Sequence, residues 1–366
     1  MHRLRTFVIA AVVVASGMTV VSVPRAWAAT HPGERWSLVL RDGPWGVTAD
    51  ARGAVVVGDD GSVASVTPAG RTRWIARGLD VTEAAPAVSD DRVLVGGEEG
   101  VALLDRGDGR TRWHADTAVP TPAVALAGEV ALAGDGTGTL RAFDAATGTP
   151  RWTAARDGRL ATAPRVDPAT GTVVASWHGG AAPHVEALDL ATGAIRWSVP
   201  TGSATAAPAL GPGVAVLAVG DGHYGARVEA HDLPTGALRW STPVPASFEE
   251  AIEPTVAGDE VVVVDHFGTV TSLGLARGER RWTRALGEPV LATRVGVAGH
   301  RVLLATYGGA VVTLGRASGR VLRRVGTRAL GGYPVSGMLV HWRGRPGYLV
   351  GLRLSEPGEL ALLRPE

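Results

Sequence analysis

Residues 142–152 read Ala-Phe-Asp-Ala-Ala-Thr-Gly-Thr-Pro-Arg-Trp, and this pattern returns along the whole chain. Its constant positions are an alanine, an aspartate two residues later, a Thr-Gly pair and a closing tryptophan. Full copies lie at residues 187–197 and 230–240. Partial copies also occur, and each of them retains the glycine. They end at Trp74, Trp113, Trp282 and Arg323. Because the repeated glycines lie 39 to 45 residues apart, the body of the chain is one unit repeated.

Each period divides into four short strands. In the second period, apolar runs over residues 86–88, 92–95, 101–104 and 111–115 are separated by clusters of Gly, Asp and Glu. Short β-branched runs bounded by such clusters are typical of strands joined by tight turns, and no window has a sustained helical period. Four strands in about 40 residues are the size of one propeller blade, so we predict an all-β propeller.

The pattern Ala-x-Asp-x-x-Thr-Gly-x-x-x-Trp resembles the tryptophan-docking motif of the PQQ-like (quinoprotein-type) β-propeller repeat proteins. The resemblance covers nearly all of the chain after residue 28. It implies a single propeller domain and points to two kinds of relative. One kind comprises quinone-dependent dehydrogenases. The other comprises non-catalytic propellers, such as the envelope assembly propeller of outer membranes and the extracellular propellers of some bacterial kinases.

The repeated residues have structural roles that follow from their chemistry. An aspartate can accept backbone N–H groups in the turn between the third and fourth strands, the glycine supplies a positive φ, and the tryptophan offers a large flat surface for packing between sheets. We expect the arginine before most tryptophans to protect the outer strand or, alternatively, to form a ring that recruits an acidic polymer. The residues given a structural role are Trp36, Trp74, Trp113, Trp152, Trp197, Trp240, Trp282, Asp144, Asp189, Asp232, Gly148, Gly193 and Gly236.

The number of repeats predicts how the ring closes. Seven turns of this kind predict seven complete blades between residue 44 and about residue 325. The C-terminal remainder offers only three strands, over residues 335–342, 348–354 and 360–363, while residues 34–38 carry the same Arg-Trp pair. We therefore predict an eight-bladed propeller of four-stranded antiparallel blades whose last blade is closed by the N-terminal strand. Seven blades are the alternative.

The N-terminus has the pattern of a secretory signal peptide. Residues 1–5 carry two arginines, residues 6–23 are mainly apolar, and an Ala-Trp-Ala sequence ends at Ala28. This order predicts cleavage after Ala28, with an uncleaved membrane anchor as the alternative. The predicted organisation is a signal peptide over 1–28 and one propeller domain over 29–366. We expect the propeller to be secreted or held in the cell envelope, without a further membrane span.

Composition narrows the classes of function. The 366 residues have a net charge of +1 and are 45% hydrophobic, so the chain resembles neither a disordered protein nor a basic nucleic-acid binder. The sequence contains no Cys, Lys, Asn or Gln. Without Cys it cannot form disulfides, thiolate metal sites, c-type haem attachments or an N-terminal lipid-modified Cys.

No catalytic constellation is recognisable in the sequence. By the resemblance, a quinoprotein dehydrogenase would have a vicinal disulfide near the quinone, a calcium site and a catalytic Asp in a longer chain, and this sequence has no Cys for the first of these. The Gly-rich stretch 134–138 is predicted to be a hairpin turn and not a phosphate loop, because no helix follows it. We predict no cofactor, no metal and no enzymatic activity.

One group of residues distinguishes the fourth to seventh repeats. Their turns between the second and third strands, with one interblade linker, contain aromatic, His and acidic residues, whereas the same turns of the first three repeats contain only small or polar ones. The predicted binding face consists of Trp177, His178, His184, His223, Tyr224, Phe248, Glu249, Glu253, Asp265, His266, Phe267 and Tyr307. Such residues on one face favour recognition. The alternatives are ordinary solvated turns and a metal site formed by His266 with Glu249 or Glu253.

These observations favour an exported, non-catalytic propeller that acts as a binding scaffold or sensor at the cell envelope. We expect its partner to be a protein, a peptide or a glycan, and the propeller to be a monomer. The alternative is a secreted enzyme that uses the face rich in His and aromatic residues. That enzyme would be a lyase, a hydrolase or a quinone-dependent oxidoreductase.

Overall fold

Antiparallel strands build the whole of the described chain. The structure is a computed structural model that describes residues 18–21, 34–40, 44–58, 60–82, 84–160, 162–202, 206–220, 226–244, 253–290, 295–308, 310–326, 333–342, 345–353 and 358–363, with side chains between residues 46 and 324. Every regular element within these ranges is a β-strand. Across the same ranges, no helix is long and apolar enough to cross a membrane.

Seven regular blades follow one another in the described residues. Two strands precede them, β1 Met18–Val21 and β2 Glu34–Leu40. The first three blades contain β3 Pro44–Asp50, β4 Gly53–Gly58, β5 Val63–Val66 and β6 Thr72–Ala76; β7 Ala87–Val88, β8 Arg92–Gly96, β9 Gly100–Asp105 and β10 Thr111–Asp116; and β11 Ala123–Ala127, β12 Val130–Gly134, β13 Thr139–Asp144 and β14 Pro150–Ala155. The fourth and fifth contain β15 Arg159–Leu160, β16 Arg165–Asp167, β17 Thr172–His178, β18 His184–Asp189 and β19 Ile195–Pro200; and β20 Ala209–Gly211, β21 Val214–Gly220, β22 Ala226–Asp232 and β23 Leu238–Val244. The sixth and seventh contain β24 Thr255–Ala257, β25 Glu260–Val264, β26 Thr269–Gly274 and β27 Arg280–Ala285; and β28 Gly296–Ala298, β29 Arg301–Thr306, β30 Ala310–Gly315 and β31 Val321–Gly326.

The strands of each regular blade pair in sequence order. In the fourth blade two short strands, β15 and β16, take the place of the first strand, and both pair with β17. The first strands of neighbouring blades contact one another, as β7 contacts β11 and β20 contacts β24. The first strands therefore surround the axis of the ring, and the fourth strands form its outer edge.

A further sheet combines both ends of the chain. It contains β32 Tyr333–Trp342, β33 Arg345–Arg353 and β34 Gly358–Leu363, and it continues through β2 to β1. The register pairs Glu34 with Leu363 and Trp36 with Leu362 and skips the arginine between them. Since β32 contacts both β3 and β29, this sheet lies between the first and seventh blades.

The all-β propeller prediction is confirmed, and the seven regular blades of the described chain agree with the seven-blade alternative. The main prediction, an eight-bladed propeller of four-stranded blades, is not matched. The sheet shared by the two termini has five strands, because β1 pairs with the outer edge of β2 over Met18 to Val21.

The tryptophan of each of the first six blades docks onto the following blade. Its indole Nε1 donates a hydrogen bond of 2.6 to 3.1 Å to the backbone carbonyl one residue after the third strand of that blade. The ring also covers the glycine of the next turn. At Gly148, where φ is +74°, an added Cβ would lie 2.7 Å from the ring of Trp113. Gly193 and Gly236 have the same relation to the preceding blade, so this contact requires glycine for both its φ and its lack of a side chain.

The aspartate and the arginine of the motif hold the docking turn. Asp144 Oδ1 accepts the backbone N–H groups of Ala146 at 2.9 Å and Thr147 at 3.0 Å. Arg151 is skipped by the strand register, which makes it a β-bulge residue, and its guanidinium bonds Asp144 Oδ2 at 2.5 Å. Asp189 with Arg196 and Asp232 with Arg239 repeat this ion pair at 2.7 Å. The arginines at these positions therefore clamp turns, a more specific role than the edge protection expected from the sequence.

Trp177 forms a second kind of interblade contact. It lies in β17 with 0% exposure, and its Nε1 donates to the carbonyl of Gly138 in the preceding blade at 3.0 Å. Trp152 of that preceding blade bonds the carbonyl of Leu190 in the fourth blade at 2.9 Å. The third and fourth blades are therefore joined by indoles that point in both directions.

Replacement of either kind of docking tryptophan is expected to destabilise the propeller. Trp197→Ala and Trp177→Ala each remove a buried ring and a hydrogen bond to the neighbouring blade, so we expect each to lower the free energy of unfolding by about 3–5 kcal/mol. Chemical denaturation followed by intrinsic fluorescence measures both losses. Ser198→Ala, at an exposed position beside Trp197, is the control. A Trp177→Ala variant as stable as this control would contradict the buried contact.

The turn aspartate predicts a dependence of stability on pH. Arg151 and the backbone N–H groups lower the pKa of Asp144 from 3.8 to about 2. Because the folded pKa is depressed, the stability that this carboxylate contributes is complete above 3.8 and is lost as the pH falls toward about 2. Asp144→Asn should therefore melt below the parent at neutral pH, and the difference should shrink through this interval. Thermal unfolding measured across that range tests this, with Glu98→Gln, an exposed carboxylate, as the control. A difference that stays constant with pH would contradict it.

Candidate functional site

The described turns between second and third strands lie on one face of the ring. Interblade linkers run beside the ends of the second strands, where Val81 bridges to Gly97 and Val290 bridges to Thr306. The turns between second and third strands start at these same ends. We call the surface formed by these turns and linkers the linker face.

The turn over residues 265–268 has a backbone that is fixed independently of its tip. Asp265 is buried, and its Oδ1 accepts the N–H of Thr269 at 2.6 Å. Gly268 closes the turn with φ +86°. In the third blade, Asp135 accepts the N–H of Thr139 at 2.9 Å, and Gly138 also has φ +86°. Asp265 is thus a turn-forming residue, and it does not lie on the exposed surface.

The tip of that turn carries rings where the third blade carries Gly136 and Thr137. The His266 ring lies edge-to-face against Phe267, with centroids 5.7 Å apart, and against Tyr307 of the seventh blade, with centroids 5.5 Å apart. Phe267 is 59% exposed and Tyr307 is 48% exposed. We call these three residues the aromatic tip. It joins the sixth and seventh blades and presents two large rings to solvent.

Two residues predicted for the exposed face lie inside the fold. Trp177 and His178 both belong to β17 and are 0% and 2% exposed. The prediction that Trp177 lies on an exposed binding face is wrong. The sequence pattern predicts a turn here, whereas β17 continues through both residues. The expected surface role of His178 is wrong for the same reason.

His184 belongs to a polar cluster between the third and fourth blades. Its ring stacks on Trp177 with centroids 5.6 Å apart and planes 8° apart, and its Nε2 lies 3.4 Å from Oε1 of Glu186. Glu186 is buried, and Arg156 of the preceding linker donates to it from Nε at 2.9 Å. The guanidinium of Arg156 also lies 5.8 Å from the centre of the Trp177 ring. This cluster fills the space between the two blades.

The fifth blade carries a buried carboxylate at the same position. Glu229 is 8% exposed and pairs with Arg227 at 2.6 Å and with Nε2 of His231 at 3.0 Å. The hydrogen bond from His231, assisted by Arg227, lowers the pKa of Glu229 to about 2. In this blade too, the charged side chain is satisfied inside the fold.

Glu253 lies near the axis of the ring. It precedes β24, a first strand, and its Oε2 lies 3.4 Å from Nη2 of Arg165 in β16. This pair connects the fourth and sixth blades around the axis and is separate from the aromatic tip. His223, Tyr224, Phe248 and Glu249 lie outside the described residues. Among the residues that are described, no three His, Cys, Asp or Glu side chains come together as a metal site.

A pocket that the sequence analysis missed lies between the first and second blades. Its volume is about 410 Å³. Leu79 and Asp80 of the interblade linker form one side, while Glu99 and His114 of the second blade form the other. Three glycines and an alanine also line it. The signal available in the sequence was only this run of small residues, which also fits ordinary turns.

Comparison with known proteins connects the geometry to a family. A family model described as outer membrane protein assembly factor BamB matches residues 7–135, 97–247 and 181–329. No curated protein matches the chain.

Similar solved structures share the fold. BamB from Moraxella catarrhalis is 20% identical with a TM-score of 0.71, and the alignment covers 91% of this chain and 97% of that one. The computationally designed Ika8 protein is 16% identical with a TM-score of 0.70, covering 92% and 98%. Quinohemoprotein alcohol dehydrogenase from Comamonas testosteroni is 12% identical with a TM-score of 0.70, covering 91% and 77%. At these identities the structures show the fold alone, whereas the family model matches most of the sequence. The chain therefore belongs to the PQQ-like propeller family described as outer membrane protein assembly factor BamB.

Proposed function

We propose that this protein is an exported, non-catalytic propeller that binds a protein or peptide partner at the cell envelope through the aromatic tip. The observation that carries the proposal is the exposure of Phe267 and Tyr307 on a turn whose backbone is already fixed by Asp265 and Gly268. The rings are not needed to form the turn, because the third blade forms it with Gly136 and Thr137. Membership in a family described as an assembly factor supports a binding role.

The aromatic tip has the properties of an interface anchor. Aromatic residues dominate the energy of protein interfaces because they bury a large area at a small cost in side-chain entropy. His266 packs edge-to-face against both exposed rings, which limits their motion before binding. A partner would thus meet an ordered apolar surface with a hydroxyl and an imidazole at its edges. A glycan is the alternative ligand, since sugars also stack on such rings.

An enzymatic role has less support. The fold is shared with a quinohemoprotein alcohol dehydrogenase, but at 12% identity that similarity concerns the fold alone. The sequence has no Cys for a vicinal disulfide. In the fourth and fifth blades, the buried charged groups with defined geometry, Glu186 and Glu229, are satisfied by Arg or His partners within the structure. Glu186 joins two blades through Arg156, whereas Glu229 is held by Arg227 and His231 of its own blade.

Export depends on the N-terminal segment, and its processing can be measured directly. We expect cleavage after Ala28, so the mature protein should begin at Ala29. Intact-mass and N-terminal peptide analysis of protein secreted by a bacterial host gives the answer. An uncleaved chain retained in the membrane fraction would instead support the anchor alternative.

The aromatic tip can be tested against a matched apolar position. A photo-crosslinking phenylalanine analogue in place of Phe267 should give a discrete adduct in the cell envelope, and Tyr307→Ser should weaken that adduct. The same analogue in place of Leu238, which is 56% exposed at the start of β23, is the control for nonspecific capture. Adducts of equal yield from both positions, or from neither, would show that the aromatic tip is not the binding surface.

A further inference from the structure

The pocket between the first and second blades occupies a place that is filled elsewhere in the ring. Strand register establishes the correspondence. Ala102 pairs with His114, the residue after the docking Trp113. Glu186 pairs with Ser198, which likewise follows a docking tryptophan. Ala102 of the second blade therefore holds the position of Glu186 in the fourth blade.

All four members of the cluster between the third and fourth blades have small counterparts around the pocket. Trp177 pairs with His184 across their hairpin, and the residues at this level in the second blade are Gly97 and Gly100, joined by a 2.7 Å backbone hydrogen bond. Arg156 stands four residues after its docking tryptophan, as Gly78 does after Trp74. The second blade thus has small residues at all four positions: Gly78 for Arg156, Gly97 for Trp177, Gly100 for His184 and Ala102 for Glu186. All four small residues line the pocket.

The pocket lies where those side chains stand in the fourth blade, except that the imidazole of His114 covers Gly100, with Nε2 2.8 Å from the place of an added Cβ. In the filled site, a flat indole stacks on an imidazole, and a guanidinium is bound to a buried carboxylate. Removal of these groups leaves about 410 Å³ between the same two kinds of strand. The site is large enough for a compact organic molecule.

The charges that remain favour a cation. Asp80 and Glu99 line the pocket, and no Arg is among its lining residues. His114 forms part of the wall and is itself paired with Asp116, with 3.1 Å between Nδ1 and Oδ1. Leu79 and Val95 provide apolar surface beside these groups. A bound molecule would therefore meet both apolar surface and carboxylates.

We propose that this pocket binds a small organic cation with a flat aromatic body, which takes the places of the absent indole and guanidinium. The ring would lie beside Gly97, against the imidazole of His114, which itself covers Gly100, and the cationic group would face Asp80 and Glu99. Stacking of an aromatic cation on an imidazole and pairing with partly exposed carboxylates each add a modest free energy. The site is independent of the aromatic tip, which lies on the sixth and seventh blades.

The test uses two probes of the same shape. Tryptamine carries an indole and an ammonium group, and tryptophol carries the same ring with a hydroxyl in place of the ammonium. Isothermal titration with the full-length propeller should show saturable binding of tryptamine at one site, with tryptophol about tenfold weaker. Ala102→Leu should abolish binding, because it refills a buried part of the pocket without changing the charge. Glu99→Gln should weaken tryptamine binding about two- to fivefold.

Controls separate this site from general charge effects. Asp108→Asn removes one negative charge from the same blade at the opposite end of β9 and should leave the affinity unchanged. If Ala102→Leu does not fold, Glu99→Gln and Asp80→Asn carry the test, since asparagine tolerates the φ of +49° at position 80. Absence of saturable tryptamine binding, equal affinity for tryptophol, or affinity unaffected by the pocket variants would each overturn the proposal.

Discussion

The ring depends on one contact, the hydrogen bond that an indole Nε1 donates to the next blade. The indole ring packs on a glycine of that blade, which has no side chain in the way. A single blade leaves apolar residues on both of its faces, and only a neighbour placed at the correct distance can cover them. The indole sets that distance, because the ring must touch the glycine while its N–H reaches a carbonyl between 2.6 and 3.1 Å away. The carbonyl and the glycine belong to one turn, so the contact fixes both position and orientation.

An ion pair between an arginine and an aspartate holds that turn. The bulge places Arg151 where its guanidinium can reach Asp144, and Asp144 accepts two backbone N–H groups of the turn. The lowered pKa of this aspartate, caused first by Arg151, shows that the ionised form is the one that stabilises the turn. The four residues of the motif therefore depend on one another across blades. The arginine holds the aspartate, the aspartate holds the turn with its glycine, and the tryptophan of the preceding blade packs on that glycine.

Repetition explains what could be predicted from the sequence and what could not. The four strands of the second blade were predicted within one or two residues, because their pattern recurs in every period and each copy supports the others. Trp177 occurs once, with no equivalent in other repeats, so its sequence neighbours gave no sign that β17 extends through it. The pocket was harder still, because Gly78, Gly97 and Ala102 indicate a cavity only when compared with the side chains at the same register in the fourth blade.

Closure of the ring relates the two candidate surfaces to each other. The aromatic tip lies on the sixth and seventh blades, the pocket lies between the first and second, and the sheet made from both termini stands between these two sectors. β32 contacts β3 on one side and β29 on the other, while β2 pairs with β34 to complete that sheet. The pairing of β2 with β34 thus joins the two ends of the chain within the sheet that separates the two surfaces.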